Sequence, residues 1–133
     1  MTSEELKSKY RYMFEGPNIG LDMYEGWTPI LAQACAEIDA ILGEHKQGFH
    51  FSQLKEKYGS ARYYFDAGSV DNEALERIQI ALDQAEQATE TACMCCGSPA
   101  VIEKYGGWFL CLCDAHAVER RAKILERPTN PRT

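Results

Sequence analysis

Five of the six cysteines in this 133-residue chain lie between residues 93 and 113, and this crowding leaves the C-terminal third few ways to fold. Cys93-Met94-Cys95-Cys96-Gly97 is followed, with sixteen residues between Cys96 and Cys113, by Cys113-Asp114-Ala115-His116. Two ligand pairs, each with two residues between partners, can close a tetrahedron around Zn²⁺ when a tight turn directs the first sulfurs inward and a helix start presents the second pair. The spacing points to Cys93, Cys96, Cys113 and His116 as metal ligands. Two alternatives stay open: Cys111 shares a strand face with Cys113 by period-two alternation and can replace His116, and Cys95 can compete inside the turn.

Other uses of the cysteines fit less well. A redox Cys-x-x-Cys would follow a βαβ pattern, which is absent here. An iron–sulfur cluster has enough thiols, but a histidine in the second pair favours zinc. A disulfide framework belongs to oxidising compartments, whereas Met1 opens directly onto a polar, acidic helix signal and suggests a reducing cytosol. The expectation is a structural zinc ion in a cytoplasmic protein.

The residues between the ligand pairs suit this reading. Ala100 to Tyr105 and Trp108 to Leu112 read as short strands joined at Gly106-Gly107, and Ala115 to Arg127 reads as a helix with Asp114 as N-cap and Pro128 past its end. Turn, hairpin, then ligands on the first turn of a helix is the order of a treble-clef finger. The expected fold is therefore α+β, with helices around a β-hairpin and a treble-clef-like zinc module. Residues 1–92 would form an acidic body, 93–127 the module packed on it, and 128–133 a frayed tail.

Going along the body, Thr2 and Glu5 form a capping signal for a helix reaching Phe14, and Gly16-Pro17-Asn18 stops it. A loop over residues 15–26 carries apolar pins at Ile19, Leu21, Met23 and Tyr24. Thr28 then reads as the N-cap of a core helix, with Pro29 at its first position and Cys35 on its apolar face. Phe49 to Tyr58 and Ala61 to Phe65 read as a hairpin turning at Gly59-Ser60. Its first strand places Phe49 and Phe51 opposite Leu54 unless a bulge intervenes. Asp71 caps the longest helix, running to about Ala92, with Leu75, Ile78, Leu82, Ala85 and Thr89 as a seam for one partner helix.

Charge narrows the choice of partner. Residues 1–92 hold 8 basic and 16 acidic side chains, a net of −8, whereas residues 93–133 hold 6 and 4 and are net positive. An acidic body disfavours non-specific binding to a polyanion, and no apolar run approaches a membrane span. Two surfaces are candidates for a protein partner: the hairpin, with Lys55, Lys57, Tyr58, Arg62 and Tyr64, and the acidic long helix, with Glu76 and Asp83. Ordinary cross-strand packing and a solvated helix face account for the same residues. The alternative is nucleic-acid binding through the last helix, where Arg120, Lys123 and Arg127 share a face, flanked by Arg121 and opposite Val118, Ala122 and Leu125.

The ordered blocks Gly26-Trp27, Lys55-Glu56-Lys57-Tyr58-Gly59 with Arg62 and Tyr64, Cys93-x-x-Cys96-Gly97, Gly106-Gly107-Trp108 and Leu112-Cys113-Asp114-x-His116 resemble a family of small phage and prophage proteins. The resemblance covers most of the chain and brings no established activity with it. It implies a host protein or complex as partner, with transcription or a defence system such as CRISPR as the target. The C-terminal part is more weakly similar to polymerase secondary-channel regulators, which carry a four-cysteine finger beside a coiled coil. This chain departs from them at His116, and a β-hairpin interrupts its helices. Phosphate-loop, nucleophile-elbow, paired-histidine protease and deaminase motifs are all missing from the sequence, so no enzymatic activity is expected.

Overall fold

The computed structural model describes residues 1–16 and 24–126. Among these are four α-helices and two separate two-stranded antiparallel sheets, an α+β arrangement. The pins at Ile19, Leu21 and Met23, Arg127 and the tail lie outside the described residues.

Helix α1 is Ser3–Lys9, and its N-terminus closes a capping box: the Glu5 amide donates to Thr2 Oγ1, and the Thr2 amide donates to the Glu5 carboxylate. It ends earlier than the sequence suggests, because the backbone leaves helical geometry at Tyr10 and continues as a 3-10 turn over Arg11–Phe14. Helix α2, Thr28–Leu42, begins one residue before the expected position. A 3-10 turn over Glu25–Trp27 runs straight into it, so Thr28 is already helical and buried and makes no cap.

Strands β1, His50–Lys57, and β2, Ser60–Asp66, form the first hairpin. Its turn is Tyr58-Gly59 rather than Gly59-Ser60, with φ of 56° and 90°, so both residues are left-handed as a two-residue hairpin turn requires. The register slips between Phe51 and Gln53, leaving Ser52 as the extra residue of a bulge. That slip reverses the alternation, and Leu54 joins Phe49 and Phe51 in the core instead of facing away from them.

Helix α3, Asn72–Thr89, starts at the Asp71 cap, where the carboxylate accepts from the Ala74 amide, and stops three residues short of Ala92. Ile78, Ala81, Leu82, Ala85 and Thr89 are its buried positions, and it packs along α2. It also covers the free edge of β2. The Ala61 amide donates to Thr89 Oγ1 at 2.9 Å and the Tyr63 amide to Glu86 at 2.8 Å, so two strand donors that β1 cannot reach are satisfied by helix side chains.

The chain then turns into β3, Val101–Tyr105, and β4, Trp108–Leu112, joined at Gly106-Gly107 as expected, and into α4, Asp114–Glu126. Asp114 lies inside the helix rather than ahead of it. Ala117 and Ile124 face inward on α4, half-exposed Arg121 lies over the Tyr105 ring, and Val118 and Leu125 are exposed. A single buried cluster runs from Leu6, Trp27 and Ile38 through Phe51 and Leu82 to Cys93, Tyr105, Cys111 and Ala117. The C-terminal elements therefore share the core of the body.

Candidate metal centre

The site is built around a turn. Gly97, at φ 83°, lets the chain reverse after Cys96, and its amide donates to the Cys93 carbonyl at 2.8 Å. The Cys93 amide donates to the Ser98 carbonyl at 2.8 Å, and the Met94 amide reaches the Cys111 carbonyl of β4 at 2.9 Å. Cys113 leads into α4, and His116 stands in its first turn.

These elements bring four donor atoms together. Those of Cys93, Cys96, Cys113 and His116 all lie within 4.8 Å of one another. The Cys96 and Cys113 sulfurs are 3.7 Å apart, and His116 Nδ1 lies 3.5 Å from the Cys93 sulfur and 3.2 Å from that of Cys113. Tetrahedral zinc with Zn–S near 2.3 Å and Zn–N near 2.0–2.1 Å requires edges of about 3.8 Å between sulfurs and about 3.5 Å between sulfur and nitrogen. The four donors can hold a metal ion with little movement. Burial opposes ionisation of Cys93, but the backbone amides of Cys113, Cys95 and Cys96 outweigh it and bring the thiol down to about 7.

The two alternative ligands lie outside this group. Cys111 is fully buried, its sulfur faces the Glu90 carbonyl at 3.4 Å, and burial pushes its thiol up to about 11. Cys95 is exposed, between the ligands of the turn.

Gly26 and Trp27 contribute a support that spacing rules do not reveal. The Gly26 amide donates to the Met94 carbonyl at 3.0 Å, and Trp27 Nε1 donates to the Ala92 carbonyl at 2.8 Å. A Cβ on Gly26 would stand 2.1 Å from the Cys93 carbonyl oxygen and 2.7 Å from the amide nitrogens of Cys96 and Gly97. The chain ahead of α2 thus lies directly against the metal turn. The only trace of this in the sequence is a glycine beside a tryptophan.

The hairpin residues share one face, on which Lys57, Tyr58 and Tyr64 are exposed and Lys55 and Arg62 are half-buried. Gln53, Lys55 and Lys57 alternate outward with Tyr64 and Arg62 as cross-strand partners. The Lys55 ammonium sits 5.5 Å over the Tyr64 ring, and that of Lys57 the same distance over Tyr58. Tyr58, 65% exposed, meets Phe109 of β4 edge to face at 6.4 Å, and Gly59 packs against Ile102 of β3. Arg62 opens instead onto a cleft of about 280 Å³ between β2 and α3, lined by Asp83 and Glu86. Tyr63, within β2 opposite Leu54, is core.

On α3, Glu76 is exposed and Asp83 accepts from Gln79 at 2.9 Å. On α4, Arg121 pairs with Glu103 and stacks 5.0 Å over Tyr105, Lys123 lies 3.7 Å from Glu119, and Arg120 is exposed. None of the described helices is long and apolar enough to cross a membrane. No family model matches the chain, and no curated protein or solved structure is significantly similar to it.

Proposed function

We propose that this chain is a zinc-stapled binding protein, with a treble-clef-like C-terminal module, whose partner is another protein. The donor set supports zinc. Three thiolates and an imidazole suit a borderline-soft ion with no geometric preference of its own, and four protein ligands close its coordination. A closed site favours a structural role over catalysis.

The observation that carries the binding reading is the stripe of Tyr64, Lys55, Lys57, Tyr58 and Phe109, which crosses from the first hairpin to the metal module. Exposed aromatics give large contact area at low entropic cost and are enriched in interface hot spots, and here each tyrosine ring carries a lysine ammonium over it that adds a positive rim. Holding that stripe together is what a metal behind β3 and β4 accomplishes. The resemblance to phage proteins makes the partner a host protein or complex in the cytoplasm, belonging to a defence system or to the transcription machinery. Nucleic-acid binding through α4 is the weaker reading, since Arg121 and Lys123 already have acidic neighbours.

Two measurements test this. Elemental analysis of protein purified without chelators should find about one zinc per chain. Cys113→Ser should lose it, and Cys95→Ser should keep it. Affinity capture from host lysate should recover a partner that Lys57→Glu with Tyr58→Ser abolishes, that Glu76→Lys with Asp83→Lys weakens, and that Arg120→Glu with Lys123→Glu leaves in place. Submicromolar, steeply salt-dependent binding of DNA or RNA, lost on the Arg120 and Lys123 reversals, would overturn the reading.

A further inference from the structure

The stripe that crosses from β1 to β4 is basic, on a chain whose net charge is -6. Lys55 and Lys57 point outward from β1, Arg62 is the cross-strand partner of Lys55, and exposed Lys104 of β3 is the cross-strand partner of Phe109. None of them makes an ion pair among the described residues. The acids of the same strands are engaged elsewhere. Glu56 alternates to the other face of β1, where its carboxylate accepts from the Gly59 amide at 2.8 Å. Asp66, at the far end of β2, accepts from the Gly68 amide at 2.9 Å, and Glu103, on the other face of β3, is paired with Arg121. The lysines lean on rings instead, Lys55 on Tyr64 and Lys57 on Tyr58. An ammonium over a ring still has N–H donors free for an oxygen acceptor. Acid resumes only beyond Arg62, where Asp83, Glu86 and Glu90 line the cleft against α3.

We infer, on the reading that this stripe binds a protein, that the partner's contacting segment is acidic. Lys55 and Lys57 are two residues apart on one strand face, a rise of about 7 Å. That is the spacing of alternate side chains in an extended chain, so two carboxylates separated by one residue meet both ammonium groups. An aromatic or aliphatic side chain beside them covers Tyr58 and Phe109, whose edge-to-face contact leaves both rings exposed. A polynucleotide fits the same lysines and rings less well, because it carries its charge along its whole length and the chain as a whole repels it. A short acidic segment can belong to a partner of any net charge. Charge complementarity of this kind governs orientation and association rate more than affinity. The aromatics therefore supply the grip, and the lysines choose the partner.

The test is amide NMR of the full chain, titrated with short synthetic peptides in which glutamates alternate with other residues around one phenylalanine. At about 1 mM, enough to reveal a weak segment on its own, the glutamate peptide should shift the amides of Lys57, Tyr58 and Phe109. Its glutamine counterpart should bind at least about tenfold more weakly, and added salt should weaken the glutamate peptide alone. Lys55→Glu with Lys57→Glu should reverse the choice, taking a lysine version of the peptide and rejecting the glutamate one, a gain that misfolding cannot produce. Arg120→Glu, which reverses a charge on α4, should leave the preference unchanged. Glutamate and glutamine peptides of equal affinity, no shifts in the stripe, or a double variant that keeps the original preference would overturn the inference. Each of these leaves the protein-partner reading standing, because capture from lysate tests it independently. Oligothymidylate binding the stripe more tightly than the glutamate peptide would overturn both.

Discussion

A methyl group at Gly26 would collide with three backbone atoms of the metal turn, none of which can rotate away. The alternative is for the Glu25–Trp27 turn to move back, which breaks the Gly26-to-Met94 bond and pulls Trp27 from Ala92. Gly26→Ala should therefore cost at least about 2 kcal/mol, the range of a backbone clash in a packed site. Chemical denaturation would measure it, and bound zinc should fall with it although no ligand has changed. Tyr58 presents the opposite case. A tyrosine at φ 56° costs roughly 1 kcal/mol that asparagine largely avoids. Its edge contact with Phe109 returns about 0.5 kcal/mol at an exposed site. Tyr58→Asn should leave the denaturation midpoint almost unmoved while lowering partner capture by tenfold or more, the strength of a hot-spot aromatic. A strained tyrosine at an exposed turn fits selection for contact rather than for folding.

Among the elements, the join between α3 and the edge of β2 rests on Thr89. Its hydroxyl donates to the Glu86 carbonyl at 2.6 Å and accepts from Ala61 at 2.9 Å, in a fully buried position. Thr89→Val keeps the volume and strands the Ala61 amide, so urea denaturation should show a loss of about 1–3 kcal/mol. A loss below about half a kcal/mol would mean that solvent reaches that edge. Thr89 was legible only as one more position in a helical seam, because its partner is a backbone amide 28 residues away. Other elements were plainer. The Thr2 and Asp71 caps, the Gly106-Gly107 turn and the ligand spacing are local chemistry that short windows of sequence reveal. What stayed hidden was non-local. The Ser52 bulge changes which face Leu54 occupies, and docking on Tyr105 lays Arg121 rather than Val118 or Leu125 against the second hairpin. Arg121 stays half exposed, yet it lies over the Tyr105 ring and reaches Glu103, two partners that a valine could not use.

Across the whole molecule, division into an acidic body and a metal module describes the charge better than the packing. Cys93, Met94, Tyr105, Cys111 and Leu112 lie in the same buried cluster as Leu6, Trp27 and Ile38. Trp27 bonds to Ala92 on the entry to the turn, and Met94 bonds to both Gly26 and β4. A metal bound in such a place would hold the body as well as the C-terminal hairpin and helix. Structural zinc contributes roughly 10 to 16 kcal/mol in isolated finger peptides, as much as the entire stability of many domains. Chelation should therefore lower one cooperative melting transition seen by calorimetry, rather than remove a small C-terminal transition ahead of an unchanged main one. The two tryptophans offer an independent reading, because Trp27 is buried and Trp108 is 67% exposed. Iodide should quench only the Trp108 share of the emission in the metal-loaded protein and both tryptophans after chelation. If Trp27 stays shielded in the metal-free protein while α4 loses its helical signal, the body folds without the metal and the shared core is not a shared folding unit.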